Sequence, residues 1–419
     1  MALFVKGATL GGEVVGLRCD DGVIAELGAD VGPRDGDEVI DGAGLALVPG
    51  LVNAHTHAAM TLFRGYADDL PLMEWLTEHI WPVEKRLSDD DVYWGTRLAC
   101  VEMIRTGTTC FWDMYWHADA VARAVEDAGI RAVTAAPLID DADPAKSERA
   151  CGDAERILER IESAGNELAR PGFAPHALYS VSEKSLRWVA ERAAEREISI
   201  QIHLSETEEE VTNCLEAHGV RPAFYLDRAG LLGPRTILAH GCWLDRDELE
   251  LIAERGATVA INPTANLKLA VGRVFPYRDA RELGVSVGLG TDGPGSNNSL
   301  DLLSDAKTFA LLQKNEARDP AAVSAGEVLE IATGRRSELL GGRGLEVGTP
   351  ADFLLVRADG HELSMGELDA GLVYAASGSV VDTTVVAGRV LMRGGVVEGE
   401  DEIVARAREQ AAGLGLRPR

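Results

Sequence analysis

The sequence has little lysine, few aromatic residues and no long apolar run. Seven of the 41 basic residues are lysine, and aromatic residues make up 5% of the chain. No apolar run approaches the roughly 18 residues that a membrane-spanning helix needs. The opening "MALFVKGATLGGEVV" lacks the basic region, apolar block and cleavage site of a signal peptide. We therefore expect a cytoplasmic protein that does not bind a membrane.

Cysteine is also sparse, and its spacing argues against redox or zinc-ribbon motifs. The six cysteines form no C-x-x-C pair and stand at positions 19, 100, 110, 151, 214 and 242. A chain of 419 residues, 46% of them hydrophobic, can bury a large core without disulfide bonds. The cysteines are therefore predicted to be reduced thiols.

The shortage of basic residues leaves a strongly acidic chain. It has 68 Asp and Glu residues against 41 Lys and Arg, and its formal net charge is −27. Such a surface repels nucleic acid, so no nucleic-acid partner is expected. Two interpretations of the charge stay open. One is a high-salt cytoplasm, where ions screen the self-repulsion; the other is an ordinary acidic protein from a GC-rich genome.

The two ends of the chain differ in pattern from its middle. Residues 1–49 and 345–419 contain short apolar runs broken by Gly and Asp, which predict short strands. The last residues of the chain, from 402, predict a terminal helix. Apolar strands alternate with helical patterns between these ends. The eight candidate strands are 47–56, 108–114, 131–139, 172–178, 198–205, 235–241, 257–263 and 285–291. This α/β pattern predicts a (β/α)8 TIM barrel over 50–344, beside a small β-sandwich built from 1–49 and 345–419.

Polar residues able to bind a metal stand at the ends of four of these strands. His55 and His57 end the first strand, His203 the fifth, His240 the sixth and Asp292 the eighth. The carboxyl ends of parallel barrel strands meet at one face, where the active sites of such barrels lie. Residues two apart in a strand point to the same side, so the H-x-H spacing directs both rings into this mouth.

The donor types in this group suit a transition metal. Three imidazoles and a carboxylate (His55, His57, His203 and Asp292) suit Zn²⁺, with Fe²⁺ as the alternative. A bridging lysine on the fourth strand would indicate two metals, but "GFAPHALYS" contains none. We therefore expect one divalent cation per subunit.

Two further residues at this mouth are candidates for proton transfer. Glu206, in "HLSE", follows His203 closely and is placed to carry protons. The alternative is that Glu206 only begins the acidic helix "ETEEE". His240 is placed to hydrogen-bond the attacking oxygen.

The motifs together resemble a known family. "PGLVNAHTHAAMTLFRGYADDLPLMEWL", "IWPVEKRL", "HALYS", "IHLSET", "LAHG", "NPTANLKLA" and "GLGTDGPGSNNSLD" are similar to those of the amidohydrolase superfamily. Within it they resemble the methylthioadenosine/S-adenosylhomocysteine deaminase branch, which includes 5′-deoxyadenosine deaminases. The resemblance implies a metal-dependent hydrolase that converts a 5′-substituted adenosine to the inosine analogue and ammonia. It also implies a nucleoside as the small-molecule partner, and we expect a homo-oligomer.

The resemblance also implies roles for individual residues. His55, His57, His203 and Asp292 would bind the metal. Glu206 would protonate the purine N1, His240 would position the hydroxide, and Asp292 would take the water proton. Glu84, in "WPVEKRL", would accept hydrogen bonds from the ribose hydroxyls, and His176, in "HALYS", would contact purine or ribose. Without the resemblance, Glu84 reads as a solvated charge at a helix end, and His176 as a core histidine.

One departure from the family pattern concerns the 5′-substituent. Relatives that act on S-adenosylhomocysteine are expected to hold its carboxylate with an arginine after the third strand, where this chain has Ala136. Arg149 is a loose second match and reads more simply as a surface charge. A neutral 5′-group is therefore predicted. His117 is a further candidate to line the mouth. Asn266 and Lys268, after the seventh strand, either shape the pocket or only cap a turn.

Several other functions remain open at this point. Guanine, 8-oxoguanine and cytosine deaminases and triazine hydrolases use a similar metal site. A non-catalytic assembly subunit is the alternative of a different class, although such proteins usually lose the ligands. Glu84 separates these options, because free bases and triazines lack a ribose diol.

Overall fold

A computed structural model describes residues 2–416 and places the two ends of the chain in one β-sheet. Five strands come from the beginning of the chain: β1 Leu3–Leu10, β2 Glu13–Asp20, β3 Val23–Gly28, β4 Glu38–Asp41 and β5 Leu45–Pro49. Four come from near the end: β15 Phe353–Arg357, β16 Val381–Val386, β17 Arg389–Arg393 and β18 Val396–Val397. Hydrogen bonds join them in the order β18-β17-β16-β15-β5-β1-β2-β3, with β4 beside β1.

The junction between the two ends is the antiparallel pair β5 and β15. Leu47 lies opposite Leu355 in this pair, and both side chains are buried. They belong to an apolar core of this sheet that also contains Leu17, Phe353 and Val385. The alternating apolar runs at the two ends of the sequence thus fill one core.

The second sheet forms the barrel. Its strands are β6 Leu51–Thr56, β7 Thr108–Met114, β8 Arg131–Ala135, β9 Pro137–Leu138, β10 Ala169–Pro175, β11 Ser199–Leu204, β12 Thr236–His240, β13 Thr258–Ile261 and β14 Ser286–Leu289. They pair in parallel in the order β14-β13-β12-β11-β10-β8-β7-β6, with β9 beside β10. The amide of Asp292 donates to the carbonyl of His55 over 3.0 Å, which brings the last strand against the first. The predicted TIM barrel is confirmed.

Helices surround this barrel. They are α1 Leu72–Glu74, α2 Trp81–Glu84, α3 Asp89–Thr106, α4 Ala118–Ala128, α5 Ser147–Ser163, α6 Glu183–Arg196, α7 Glu208–His218, α8 Pro222–Ala229, α9 Arg246–Arg255, α10 Pro263–Lys268, α11 Tyr277–Leu283, α12 Leu302–Ala317, α13 Ala325–Ala332, α14 Leu368–Ala370 and α15 Glu400–Gly413. Short 3-10 segments cover Ala58–Phe63 and Gly378–Val380, and π-helical segments cover Trp75–Ile80 and Gly371–Ala375. Local capping fixes several starts: Asp245 and Glu248 form a reciprocal capping box at α9.

Three predicted strands differ from the observed ones. The segment 47–56 is two strands in different sheets, divided at Gly50, where a Cβ would lie 2.1 Å from Thr109 Oγ1. Glycine therefore lets the chain pass from one sheet to the other at a point of close contact. The segment 131–139 is broken at Ala136, and the predicted strand 172–178 lies instead at Ala169–Pro175.

The C-terminal helix packs on the barrel. Arg105 of α3 donates to Glu400 over 2.7 Å, and Arg86 donates to the carbonyl of Leu414 over 2.9 Å. The end of the predicted terminal helix segment, 417–419, lies outside the described residues. The predicted division of the chain into a first sandwich part (1–49), a barrel (50–344) and a second sandwich part (345–419) stays a proposal. None of the helices within residues 2–416 has both the length and the apolar composition to cross a bilayer.

Candidate active site

The five residues predicted at strand ends meet at the carboxyl end of the barrel. The ring of His55 lies 4.8 Å from that of His57, 4.9 Å from that of His203 and 5.5 Å from that of His240, between centroids. Asp292 Oδ1 lies 3.1 Å from His57 Nε2 and 3.5 Å from His55 Nε2. Strands distant in sequence therefore direct one carboxylate and four imidazoles to a single point.

Asp292 reaches this point through a tight turn. Its backbone is left-handed, with φ 58°. A Cβ on the preceding Gly290 would lie 2.9 Å from the carbonyl oxygen of His55, and one on Gly293 would lie 2.8 Å from the sulfur of Met60. Glycines on both sides thus allow β14 to approach β6 closely. Ser296 donates to Asp292 Oδ2 over 2.6 Å, so that Oδ1 faces the histidines.

Backbone carbonyls orient two of the rings. Nδ1 of His57 donates to the carbonyl of Met114 over 2.6 Å, and Nδ1 of His203 donates to that of His176 over 2.9 Å. An imidazole that donates through Nδ1 keeps the lone pair of Nε2 free. In their neutral form, both rings therefore present an acceptor nitrogen to the site.

His55 provides the test of whether this group fits a cation. Its side chain is fully buried, and neither ring nitrogen has a hydrogen-bond partner among residues 2–416. Burial lowers the pKa of His55 to about 4, so the ring is neutral at pH 7. A buried unsatisfied nitrogen is costly unless a ligand occupies its lone pair. Two overlapping sets each bring one potential ligand atom per residue within 4.8 Å of one another: His55, His57, Asp292 and His55, His203, His240.

Glu206 lies beside this group in a low-dielectric position. Its side chain is 11% exposed, and burial raises the pKa of its carboxyl group to about 8. Its Oε2 lies 3.9 Å from His240 Nε2. The alternative, that Glu206 begins a helix, is not what the structure has, because α7 begins at Glu208 with Thr207 as its cap.

Glu210 fixes the backbone at Ser205 and Glu206, and this role of Glu210 was not predicted from the sequence. Its carboxylate accepts from the amides of Ser205 and Glu206, each over 2.9 Å. Ser205 is left-handed, with φ 50°. The acidic run "ETEEE" gave no signal that one of its members would turn inward.

Asn266 is a second residue near the site whose contact the sequence did not specify. Its Oδ1 lies 2.8 Å from Nδ1 of His240. Its neighbour Lys268 faces the other way and donates to Asp68 over 2.6 Å and to Asn298 over 2.7 Å. These contacts tie α10 both to the site and to the segment before α1.

Glu84, at the end of α2, lines the same cavity as His203 and His240, which are distant from it in sequence. Nε1 of Trp116 donates to its Oε2 over 3.2 Å. Burial raises the pKa of Glu84, while the hydrogen bond from Trp116 opposes this. His176 also lines the cavity, and its Nδ1 lies 2.8 Å from Ser180 Oγ. Neither residue is the solvated charge or core histidine that the alternative readings offered.

Much of the cavity lining is apolar. Among the described residues that line it there is no Lys or Arg, and its apolar walls include Leu72, Trp75, Leu76, Trp81, Pro137 and Ile139. Arg149 lies on the surface, with its side chain 91% exposed near Asp153. His117 is not among the described residues that line the cavity; it is the residue just before α4, and its Nδ1 lies 2.5 Å from Oδ1 of Asp89.

Comparisons with known proteins agree with this architecture. A 5′-deoxyadenosine deaminase of Methanoregula boonei is 48% identical over 397 residues, covering 93% of this chain and 90% of the relative. A 5-methylthioadenosine/S-adenosylhomocysteine deaminase of Haloarcula marismortui is 43% identical over 394 residues, covering 92% and 90%.

Solved structures give the same result for the fold. An adenosine deaminase from Xanthomonas campestris with bound zinc superposes with a TM-score of 0.91 at 34% identity, covering 99% of this chain and 98% of the other. A triazine hydrolase from Arthrobacter aurescens superposes with a TM-score of 0.88 at 22% identity, covering 98% and 99%, which concerns the fold alone. Residues 46–391 match the Amidohydrolase family. This chain therefore belongs to the amidohydrolase family.

Proposed function

We propose that this chain is a metal-dependent hydrolytic deaminase that converts 5′-deoxyadenosine or 5′-methylthioadenosine to the inosine analogue and ammonia. The observation that carries the proposal is the meeting of His55, His57, His203 and Asp292 beside the buried acid Glu206, in a cavity that Glu84 also lines. Relatives named as deaminases of 5′-substituted adenosines, at 40–48% identity over most of the chain, support the same activity.

His55, His57, His203 and Asp292 would hold one divalent cation. The donor set and the zinc-bound structure from Xanthomonas campestris favour Zn²⁺, and Fe²⁺ is the alternative. When bound, such a cation lowers the pKa of water toward about 7 and so supplies hydroxide at neutral pH.

The residues of the chain then move the protons of the reaction. Glu206 is protonated at pH 7, so it donates its proton to N1 of the purine, which makes C6 more electrophilic. Asp292 takes the proton of the attacking water, and His240 accepts a hydrogen bond from the attacking oxygen. Asp292 then passes its proton to the 6-amino group, the bond from C6 to that nitrogen breaks, and the C6 hydroxyl proton returns to Glu206. Water and the aminopurine thus give the 6-oxopurine and ammonia, with both carboxyl groups back in their starting states.

The remaining residues of the cavity fit a nucleoside with a neutral 5′-group. The carboxylate of Glu84 accepts from the ribose hydroxyls, and His176 contacts the nucleoside between Glu84 and the metal site. The apolar walls accept a methyl or methylthio group. They offer no cation to a charged amino-acid tail, so S-adenosylhomocysteine is expected to be a poorer substrate.

A panel of substrates tests this function. We expect ammonia release and the adenosine-to-inosine absorbance change with 5′-deoxyadenosine and 5′-methylthioadenosine, and slower turnover with S-adenosylhomocysteine. The matched control is Glu206→Gln protein under the same conditions. Turnover of guanine, cytosine or a triazine without turnover of any adenosine would instead support one of the alternative hydrolases. No turnover of any of them, together with no bound metal, would support the non-catalytic subunit.

The homo-oligomeric state and the cytoplasmic location stay predictions. Light scattering of purified protein measures the first, and fractionation of the native cell measures the second.

A further inference from the structure

His240 has a neighbour that determines which of its nitrogens carries the proton. His240 is the last residue of β12, is 1% exposed and has a left-handed backbone with φ 76°. Its Nδ1 lies 2.8 Å from Oδ1 of Asn266, which is 7% exposed. Its Nε2 points to the opposite side, 3.9 Å from Glu206 Oε2 and toward His55 and His203.

An amide oxygen can only accept a hydrogen bond. The Asn266 contact therefore requires a proton on Nδ1 of His240. A neutral imidazole has one N–H, so Nε2 then keeps its lone pair. Reversing the tautomer would place an N–H toward the site and leave two acceptors facing each other at 2.8 Å.

A second amide lies near the same nitrogen and favours the opposite tautomer. Nδ2 of Asn262 is 3.4 Å from His240 Nδ1, against 2.8 Å for Oδ1 of Asn266. Hydrogen bonds donated by N–H groups have an optimal donor–acceptor distance of about 2.9 Å, so the contact from Asn266 to His240 is stronger than that from Asn262. The backbone N–H of Asn266 donates to the backbone carbonyl of Asn262 over 3.0 Å, which fixes Asn266 on the first turn of α10.

We propose that Asn266 is a positioning residue that holds His240 as the Nδ1–H tautomer, so that Nε2 accepts a hydrogen bond from the attacking oxygen. The part that concerns catalysis rests on the proposed function; the tautomer itself does not. Asn266 touches neither the nucleoside nor the metal in this account. It acts only through His240.

Nitrogen-15 NMR of histidine-labelled, zinc-loaded protein tests the tautomer directly. The His240 signals are assigned by their loss in His240→Asn. We expect a protonated Nδ1 and an unprotonated Nε2 in the native protein, and a mixed or reversed pattern in Asn266→Leu, which has a similar shape but no acceptor. A native His240 protonated on Nε2, or the native pattern retained in Asn266→Leu, would overturn the proposal.

Kinetics provide the second readout. In Asn266→Leu we expect kcat to fall by about 10²-fold or more, since a wrong histidine tautomer can cost about 10⁴-fold in a catalytic triad. KM should change by less than about threefold, because uniform substrate binding is not affected. Asn266→Asp keeps an oxygen acceptor at the same place and should recover most of the lost kcat.

The control for the helix itself is Thr264→Val. Thr264 lies on α10, and its hydroxyl contacts Thr308 over 3.4 Å and not His240. This variant should keep native kcat, and all variants are compared at equal metal content and melting temperature. If Asn266→Leu does not fold, Asn266→Ala takes its place in both measurements. Equal losses in the Leu and Asp variants, or a kcat within about threefold of native in Asn266→Leu, would contradict the proposal.

The two proposals fail separately. If native protein deaminates no adenosine, the proposed function is wrong, while the NMR signals still report the tautomer. If native protein is active and the tautomer is independent of Asn266, only the inference about Asn266 is wrong.

Discussion

Oδ1 of Asp292 lies 3.1 Å from Nε2 of His57, although the two residues belong to opposite ends of the barrel sequence. The His57 ring is held from behind by the carbonyl of Met114, and the Asp292 carboxylate by the hydroxyl of Ser296. Supporting hydrogen bonds of this kind fix the orientation of metal ligands. The atoms that face each other are therefore the ones that would bind the cation.

Loss of one proposed ligand should remove the metal. We expect His203→Asn protein to retain less than about a tenth of the native metal, because His203 Nε2 would supply one of the four proposed donors. The matched control is His176→Asn, whose ring lies 4.9 Å from that of His203 but outside the proposed ligand set. Mass spectrometry of metal content compares the two. Full metal in the first variant would remove His203 from the site.

Replacement of Glu206 should separate metal binding from turnover. Glu206→Gln cannot transfer a proton, so we expect native metal content and a loss of kcat of about 10²–10⁴-fold. Glu208→Gln removes an exposed carboxylate from the start of α7 and serves as the control with native kcat. Steady-state assays with 5′-deoxyadenosine measure kcat for both variants. A Glu206→Gln enzyme of near-native turnover would exclude the proposed role.

The pH dependence of kcat should reflect the raised pKa of Glu206. Burial raises this pKa to about 8, so the acid form dominates at pH 7 and is lost as the pH rises through 8. We expect kcat to fall above pH 8 and to approach a tenfold loss per pH unit, as expected for one essential acid. Initial rates between pH 6 and pH 10, at saturating substrate, give the profile. A kcat that stays level to pH 10 would argue against a protonated Glu206.

Glu84 should affect only substrates that carry a ribose diol. We expect Glu84→Ala to raise KM for 5′-deoxyadenosine by 10-fold or more, because hydrogen bonds to a charged carboxylate contribute about 1.5–3 kcal/mol. The same substitution should change KM little for a 2′,3′-dideoxy analogue. Steady-state kinetics of native and Glu84→Ala protein with each of the two substrates measure the four KM values to be compared. An equal penalty for the two substrates would mean that Glu84 does not bind the diol.

The proximity of the proposed metal ligands could be predicted because strand ends determine their place. His203, His240 and Asp292 follow apolar strands, and the barrel brings all such ends to one face whatever the helices do. The i, i+2 spacing of His55 and His57 required only the pleat of a strand. These arguments need the order of elements and not their detailed packing.

The supporting residues depend on tertiary contacts that the sequence pattern does not specify. Trp116, which follows β7, donates to Glu84 of α2, and Glu210 turns inward beside the exposed Glu208 and Glu209. The break at Gly50 was missed because 47–56 is one continuous apolar run, and only the approach of Thr109 shows why glycine divides it. A signal for Asn266 existed in "NPTANLKL", where an asparagine stands four residues after another at the start of a helix.

The net charge of −27 predicts how stability depends on salt. If the protein is adapted to high salt, its melting temperature should rise by several degrees between 0.1 and 2 M KCl, because screening relieves the self-repulsion. Sucrose at matched osmolality is the control, since it favours compact states without screening charge. Calorimetry in both series separates the effects. A melting temperature that does not rise with KCl would favour the alternative of a GC-rich genome.

Anomalous diffraction at the zinc edge, from crystals of protein purified without chelator, tests the central claim most directly. We predict one peak per subunit, within about 2.0–2.2 Å of a ring nitrogen of His55, His57 and His203 and of Oδ1 of Asp292. A metal-replete crystal with no peak between these four residues, or with its peak elsewhere in the chain, would contradict the account.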